Sequence, residues 1–177
     1  LHLGPLAAAF LVLVCPWLPA APSEAMVLAS PDGHVRFQLV SQDAARLGYA
    51  VTYKAKPVIE TSSLGIVVDG VNLAEGAQAG KTDRYRLKET YPWHGVHSTA
   101  VNRSNGARFH LRHRKTGAAY VVEARVYNDG IAFRYVVPGP EGKLRVPDEG
   151  TAFRIPAGST VWYHDFVVTY GVEASTG

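Results

Sequence analysis

Apolar and polar residues alternate with period two on both sides of a short break late in the chain. Tyr120, Val122, Ala124 and Val126 fall on one face of an extended backbone, because successive strand side chains point to opposite faces. Ile131, Phe133, Tyr135 and Val137 repeat the pattern after the break. Between the two runs stands Asn128-Asp129-Gly130. Asn and Asp tolerate left-handed backbone angles and Gly has no Cβ to clash, so the tripeptide suits a tight turn. The stretch from Tyr120 to Val137 therefore predicts a long hairpin with one apolar face, around which the other elements are organised.

The same alternation recurs upstream in shorter runs. Val35, Phe37 and Leu39 alternate with His34, Arg36 and Gln38 after a turn at Ser30-Pro31-Asp32-Gly33. Tyr49, Val51 and Tyr53 predict a second strand, and Ile66-Val67-Val68 before Asp69-Gly70 a third. Arg84 to Leu87 is a fourth. Phe109 and Leu111 mark a fifth, with Arg108, His110, Arg112 and Arg114 on its other face and a turn at Lys115-Thr116-Gly117. Short strands are expected at Leu144 to Val146, Ala152 to Ile155 and Val161 to Tyr163. No segment after residue 26 holds a helical period for three turns, and Asp43 to Leu47 offers one turn at most. Together these predict an all-β protein, an antiparallel sandwich in one domain without internal repeats.

The first 25 residues do not fit that pattern. Leu6 to Val14 is a short apolar run, followed by Cys15-Pro16, Pro19 and Pro22-Ser23-Glu24-Ala25. An apolar segment of this length before small residues is expected to be a secretory signal peptide cut after Ala25. The run is too short and too proline-broken for a membrane span of about 20 residues. Val14 stands where a lipoprotein signal needs Gly or Ala, which weakens an anchor through Cys15. Residues 1–25 are thus read as a leader and residues 26–177 as the mature domain, periplasmic or extracellular. Removal of the leader takes the only cysteine with it, which leaves no disulfide, cysteine nucleophile or thiolate metal site. The chain begins with Leu and ends in Glu173-Ala174-Ser175-Thr176-Gly177, and is expected to be incomplete at both ends.

Composition adds little to this. The 177 residues are 47% hydrophobic and 19% charged, enough for a core and against disorder. A net charge of +3 spread over many strands is no nucleic-acid footprint. No membrane contact is expected once the leader is gone.

Several residues could carry chemistry. The basic face of Arg108, His110, Arg112 and Arg114 could bind phosphate or an acidic polymer, or be the solvated side of a sheet. His110 and His113 lie an odd number of residues apart, so a strand sends them to opposite faces. His94 and His97 flank Gly95 in a loop at Tyr91-Pro92-Trp93-His94-Gly95-Val96-His97, where two zinc ligands are permitted and a third is not evident. Ser62-Ser63-Leu64-Gly65 lacks the frame of a nucleophile elbow. Asn102-Arg103-Ser104 is a glycosylation sequon, meaningful only in a eukaryotic secretory pathway. Asp148, Glu149, Asp165 and Glu173 are the carboxylates available for acid–base work, if two of them meet. Trp162, Tyr163 and His164, beside Asp165, form an aromatic and polar group suited to a sugar: rings stack on C–H faces while polar atoms bind hydroxyls. A core tryptophan is the plainer reading of Trp162.

Four of these stretches, in order, resemble the N-terminal domain of glycoside hydrolase family 97. Tyr127-Asn128-Asp129-Gly130-Ile131-Ala132-Phe133-Arg134-Tyr135 is similar to its signature, and Ser30-Pro31-Asp32-Gly33 to its opening. Ser62-Ser63-Leu64-Gly65-Ile66 resembles its Ser-x-Leu-Gly segment. Asp148-Glu149-Gly150-Thr151-Ala152-Phe153-Arg154-Ile155-Pro156, then Trp162, resembles the stretch before the passage to the catalytic domain.

The resemblance implies a galactose mutarotase-like β-supersandwich packed on a (β/α)8 barrel of the same polypeptide. Members are exported bacterial α-glucosidases or α-galactosidases that use calcium, and their catalytic carboxylates belong to the barrel. No residue of this chain is therefore expected to be catalytic. The resemblance also implies that Glu173, in Tyr170-Gly171-Val172-Glu173, is one calcium ligand within the full-length enzyme. The domain would then pack on the barrel and help form a pocket for an oligosaccharide. Two other readings remain open. One is a stand-alone carbohydrate-binding module using Trp162. The other is a mutarotase-like epimerase, for which His94, His97 and Glu173 supply the residue types.

Overall fold

A computed structural model describes residues 26–42 and 46–162. It is all-β, as the alternation predicts. The first sheet is an antiparallel meander of β1 (Val27–Ala29), β2 (Val35–Ser41), β3 (Leu47–Tyr53) and β4 (Lys56–Ser63), hydrogen-bonded in that order. A second meander contains β7 (Ala77–Pro92), β8 (Thr99–His113), β9 (Ala119–Val126) and β10 (Ile131–Val136). Between them in sequence come β5 (Ile66–Val68) and β6 (Val71–Asn72), which form a small third sheet with β11 (Asp148–Glu149).

The two larger sheets pack face to face across one core. Phe37, Leu39, Tyr49 and Val51 come from the first, and Phe109, Leu111, Tyr120, Val122 and Val126 from the second. Leu64, Ile66, Val68 and Leu73 join them from the region of the third sheet. Aromatic rings bridge the layers. The Phe37 ring lies 5.9 Å from Tyr49, 6.3 Å from Phe109 and 5.9 Å from Phe133, centroid to centroid. Tyr49 and Tyr120 keep their hydroxyls satisfied by donating to the carbonyls of Ala152 and Leu73. Burial, with Tyr135 nearby, pushes the Tyr49 phenol up to about 12.

The central hairpin forms as expected, with Ile131 opposite Val126 and Val136 opposite Val121. Its turn differs from the expectation in mechanism. Tyr127 N–H donates to the Gly130 carbonyl across a four-residue loop, and none of Asn128, Asp129 or Gly130 adopts a positive φ. A wider loop closes the hairpin without left-handed residues. That conformation appears instead at Asp69-Gly70 (φ 53° and 77°), the two-residue turn from β5 to β6. Lys54 and Ala55 adopt it as well, at the β3–β4 turn.

Other expectations need correction. Leu144 to Val146, Ala152 to Ile155, and Val161-Trp162 are not strands. Ala152 N–H reaches the Ser63 carbonyl, and Glu60 N–H the Arg154 carbonyl, so this run lies along β4 without building a full ladder. The suggested helical turn at Asp43 to Leu47 falls partly outside the described residues. Leu47 itself opens β3, and Gln42 N–H bonds the Arg46 carbonyl as in a closing hairpin. The fourth predicted strand, Arg84 to Leu87, is only the middle of the 16-residue β7.

Candidate functional site

The four segments singled out by sequence meet in two pairs. The first joint links the 30–33 turn to the loop of the central hairpin. Ser30 Oγ donates to Asp32 Oδ1 at 2.5 Å and accepts from Val35 N–H, while Gly33 N–H donates to the Ser30 carbonyl. Asp32 N–H then reaches Asn128 Oδ1 at 3.2 Å, across the sandwich. Ser30 and the amide of His34 hold the Asp32 carboxyl below its usual range.

The second joint links 62–65 to 148–154. Gly150 N–H donates to the Gly65 carbonyl at 2.9 Å, and Arg154 N–H to Ser62 Oγ at 2.9 Å. Leu64 between them is fully buried. A Cβ on Gly65 would lie 2.7 Å from the Gly150 carbonyl oxygen and 2.9 Å from its carbon, so only glycine permits this backbone approach. Gly65→Ala is expected to destabilise the domain by about 2 kcal/mol, the usual range for overpacking against unyielding atoms. Urea unfolding of the variant checks this, and a change below a few tenths of a kcal/mol would refute the contact's importance.

A polar cluster occupies the outer face of the second sheet. Glu123 on β9 is only 3% exposed, although it faces away from the core. Tyr85 Oη donates to its Oε1 at 2.8 Å, Arg108 Nε to Oε1 at 3.1 Å, and Arg134 Nη2 approaches Oε2 at 2.6 Å. Four adjacent strands thus each contribute one group. The Arg108 guanidinium sits over the Tyr85 ring, 5.3 Å from its centroid. Burial raises the Glu123 carboxyl, but hydrogen bonds from Tyr85 and Arg134 and the charges of Arg134 and Arg108 outweigh it and hold the group below its ordinary value. Gly106 lies beneath Tyr85, and any Cβ there would collide with the ring.

The structure also places the other predicted residues. His110 pairs with Asp83 at 2.7 Å and Arg108 with Glu123, so the suspected basic face is interleaved with carboxylates. His113 is buried on the opposite face with Nδ1 2.8 Å from Thr116 Oγ1, as the odd spacing requires. His94 and His97 lie exposed in the loop after β7. Among the described residues no three metal-ligating side chains come together. Asn102 of the sequon is on a strand and donates to Glu89 Oε2. Asp148 and Glu149 are exposed on β11, where Glu149 accepts from Thr151 Oγ1. Trp162 is 91% exposed among the described residues. Tyr163, His164, Asp165 and Glu173 lie outside the described residues, as do Cys15 and the leader.

Comparison with known proteins places all four segments within one family match. A family model described as Glycosyl-hydrolase 97 N-terminal matches residues 28–175, which include all four paired segments. The chain belongs to that family. It is 31% identical over 147 residues to a protein named "Probable retaining alpha-galactosidase" from Streptomyces bingchenggensis, covering 82% of this chain and 22% of that protein. It is 32% identical over 135 residues to a retaining alpha-galactosidase of Bacteroides thetaiotaomicron, covering 75% of this chain and 19% of the relative. The structure superposes on a beta-arabinopyranosidase with a TM-score of 0.67 at 26% identity, over 73% of this chain and 21% of that one. A family 97 enzyme of Pseudoalteromonas sp. strain K8 in complex with acarbose matches at a TM-score of 0.66 and 23% identity, over 74% and 20% of the two chains, and supports the fold.

The family 97 N-terminal domain seen here therefore spans about a fifth of the length of the curated relatives it matches. Its signature segments act as structural joints in this chain. Sequence reasoning missed the Glu123 cluster. One signal was available: Glu123 and Arg125 interrupt an otherwise apolar run in β9, with Arg108 and Arg134 at matching positions of the flanking strands.

Proposed function

We propose that this chain is the accessory N-terminal domain of an exported glycosidase of the α-galactosidase type, and that it packs on a catalytic barrel of the same polypeptide. The two relatives above 30% identity are named as α-galactosidases, which favours that activity over the α-glucosidase alternative. The observation that carries the packing is a set of exposed apolar side chains near the end of the described chain. Leu144, Val146, Phe153, Val161 and Trp162 are all more than half exposed. Such side chains gathered in one segment mark a contact surface. The run is held in place at its start: Arg145 Nη2 lies 3.0 Å from Asp69 Oδ2, and Nη1 donates to the Pro138 carbonyl at 2.9 Å.

In this reading the domain walls one side of the sugar pocket, and hydrolysis uses two carboxylates of the barrel, as glycosidases generally do. The described residues alone do not fit a calcium site, since calcium takes six to eight oxygens and no cluster of ligands is present among them. Glu173 is proposed as a single ligand added to carboxylates from outside this chain. Glu173→Gln in the full-length enzyme is expected to weaken calcium binding by at least about tenfold, through loss of one charged oxygen ligand. Isothermal titration with calcium chloride reads this directly, and unchanged affinity would remove Glu173 from the site.

The packing itself is tested by mixing the chain with the separately expressed remainder of its polypeptide. Co-elution in gel filtration is the expected result, and two independent peaks would sink the reading. A second reading, a free carbohydrate-binding module, draws on the exposure of Trp162. It predicts quenching of tryptophan fluorescence by oligosaccharide in the chain alone, abolished by Trp162→Ala.

A further inference from the structure

The longest strands of the protein project beyond the sandwich. β9 pairs with β8 only from Asn105 to Arg112. Toward the tip, Thr99 to Ser104 pair with Leu87 to Pro92 of β7 and, among the described residues, with no third strand. These rungs make a two-stranded arm, a form that is marginal in water by itself. Residues directly opposite share a face, so Tyr91 with Ala100 lie on one side and Thr90 with Val101 on the other. Trp93 is 58% exposed, Val101 71% and Val96, in the tip loop, 99%. The Tyr91 and Trp93 rings meet edge to face at 6.4 Å. The exposed apolar side chains thus gather at the tip of the arm, beyond the charged Lys88, Glu89 and Arg103, and a groove would cover them.

Its charge is specific as well. Lys88 stands directly opposite Arg103 on the Val101 side, next to the Arg86–Asn105 rung. Like charges in register destabilise a ribbon. None of the three cations forms an ion pair among the described residues. With Pro31 and Asn105 they line an open recess of about 300 Å³.

We propose that the β7–β8 arm is a clasp for the remaining part of the same glycosidase polypeptide. Its aromatic tip enters an apolar groove there, and Arg86, Lys88 and Arg103 face carboxylates beside that groove. The proposal rests on the packing reading above. The remainder is the occupant of choice because the matched relatives are about four times as long as this chain. It is a contact separate in sequence from the exposed apolar residues at 144–162.

Hydrogen exchange on the intact enzyme tests the clasp, with 0.1 M and 1 M sodium chloride as conditions. Amides of residues 88–102 are expected to exchange at least tenfold more slowly than those of a free ribbon. Lys88→Glu combined with Arg103→Glu is expected to remove that protection while β2 and β3 keep theirs, and 1 M salt to weaken it. Fast exchange in the arm with protection at 144–162 would overturn the clasp alone. Fast exchange in both would overturn the packing reading too. Protection that appears only when oligosaccharide is added would make the arm a glycan site and refute the proposal.

Discussion

Phe37→Ala is expected to cost the domain about 4 kcal/mol, the range for deleting a fully buried phenylalanine ring. Phe37 on β2 is 0% exposed and touches rings from both layers: Tyr49 in its own sheet, Phe109 and Phe133 in the other. Removing it takes away the buried apolar area and leaves a cavity that three flanking rings on separate strands are unable to fill together. Domains of this size are stable by roughly 5–15 kcal/mol, so the variant should lie near the edge of folding. In urea the midpoint should fall with little change in slope, since the surface exposed on unfolding is nearly the same. Val58→Ala is the control: Val58 on the edge strand β4 is half exposed, and a change of about 0.5 kcal/mol or less is expected. If Phe37→Ala behaved like Val58→Ala, the two sheets would not be locked by this cluster.

The contrast between these residues explains which elements were legible in the sequence. Strands β2, β3, β8 and β9 each bury one face, so their apolar residues fall at every second position and the pattern is plain. β4 runs Lys56-Pro57-Val58-Ile59-Glu60-Thr61-Ser62-Ser63 along a sheet edge, carries a proline and shifts register twice against β3. Such a strand is held by backbone pairing, which leaves no period to read. β7 is similar: most of its 16 residues are exposed, and its backbone pairing with β8 runs along nearly its whole length. The apolar residues of Leu144 to Val146 misled in the opposite direction. Their spacing suits a strand, yet among the described residues no strand pairs with them, and Leu144 and Val146 are exposed.

The candidate site was legible to a different degree. The family segments were visible as strings, but their pairing was not, because Asp32 meets Asn128 and Gly65 meets Gly150 only through the tertiary fold. The physical reason for each glycine or serine in those strings follows from the contact and not from the string. The exposure of Trp162 was likewise invisible, since a tryptophan in sequence is compatible with either a core or a surface.

Glu123→Ala is the second large effect, expected to cost about 3 kcal/mol through loss of charge-assisted hydrogen bonds, which are worth roughly 1.5–3 kcal/mol each and are not additive. The figure stays below that for a fully enclosed ion pair because the Arg108 and Arg134 side chains are 54% and 68% exposed and recover water. Tyr85 then loses its anchor over Gly106, so the damage spreads to β7. The effect must depend on pH in one direction. Since the folded carboxyl is held below its ordinary value, its contribution is complete above about pH 4.5, where the unfolded chain is also ionised, and is lost as pH falls through the folded value. Glu123→Gln, which keeps the shape without the charge, should therefore differ most from the parent at neutral pH and converge with it in acid. Thermal unfolding of both proteins between pH 3 and pH 7 measures this. A gap that stays constant across that range would mean that Glu123 acts through packing alone. A gap that closes toward acid would establish the outer face as a charge-fixed plate, in which one buried carboxylate orients two arginines and a tyrosine drawn from the other three strands of the sheet.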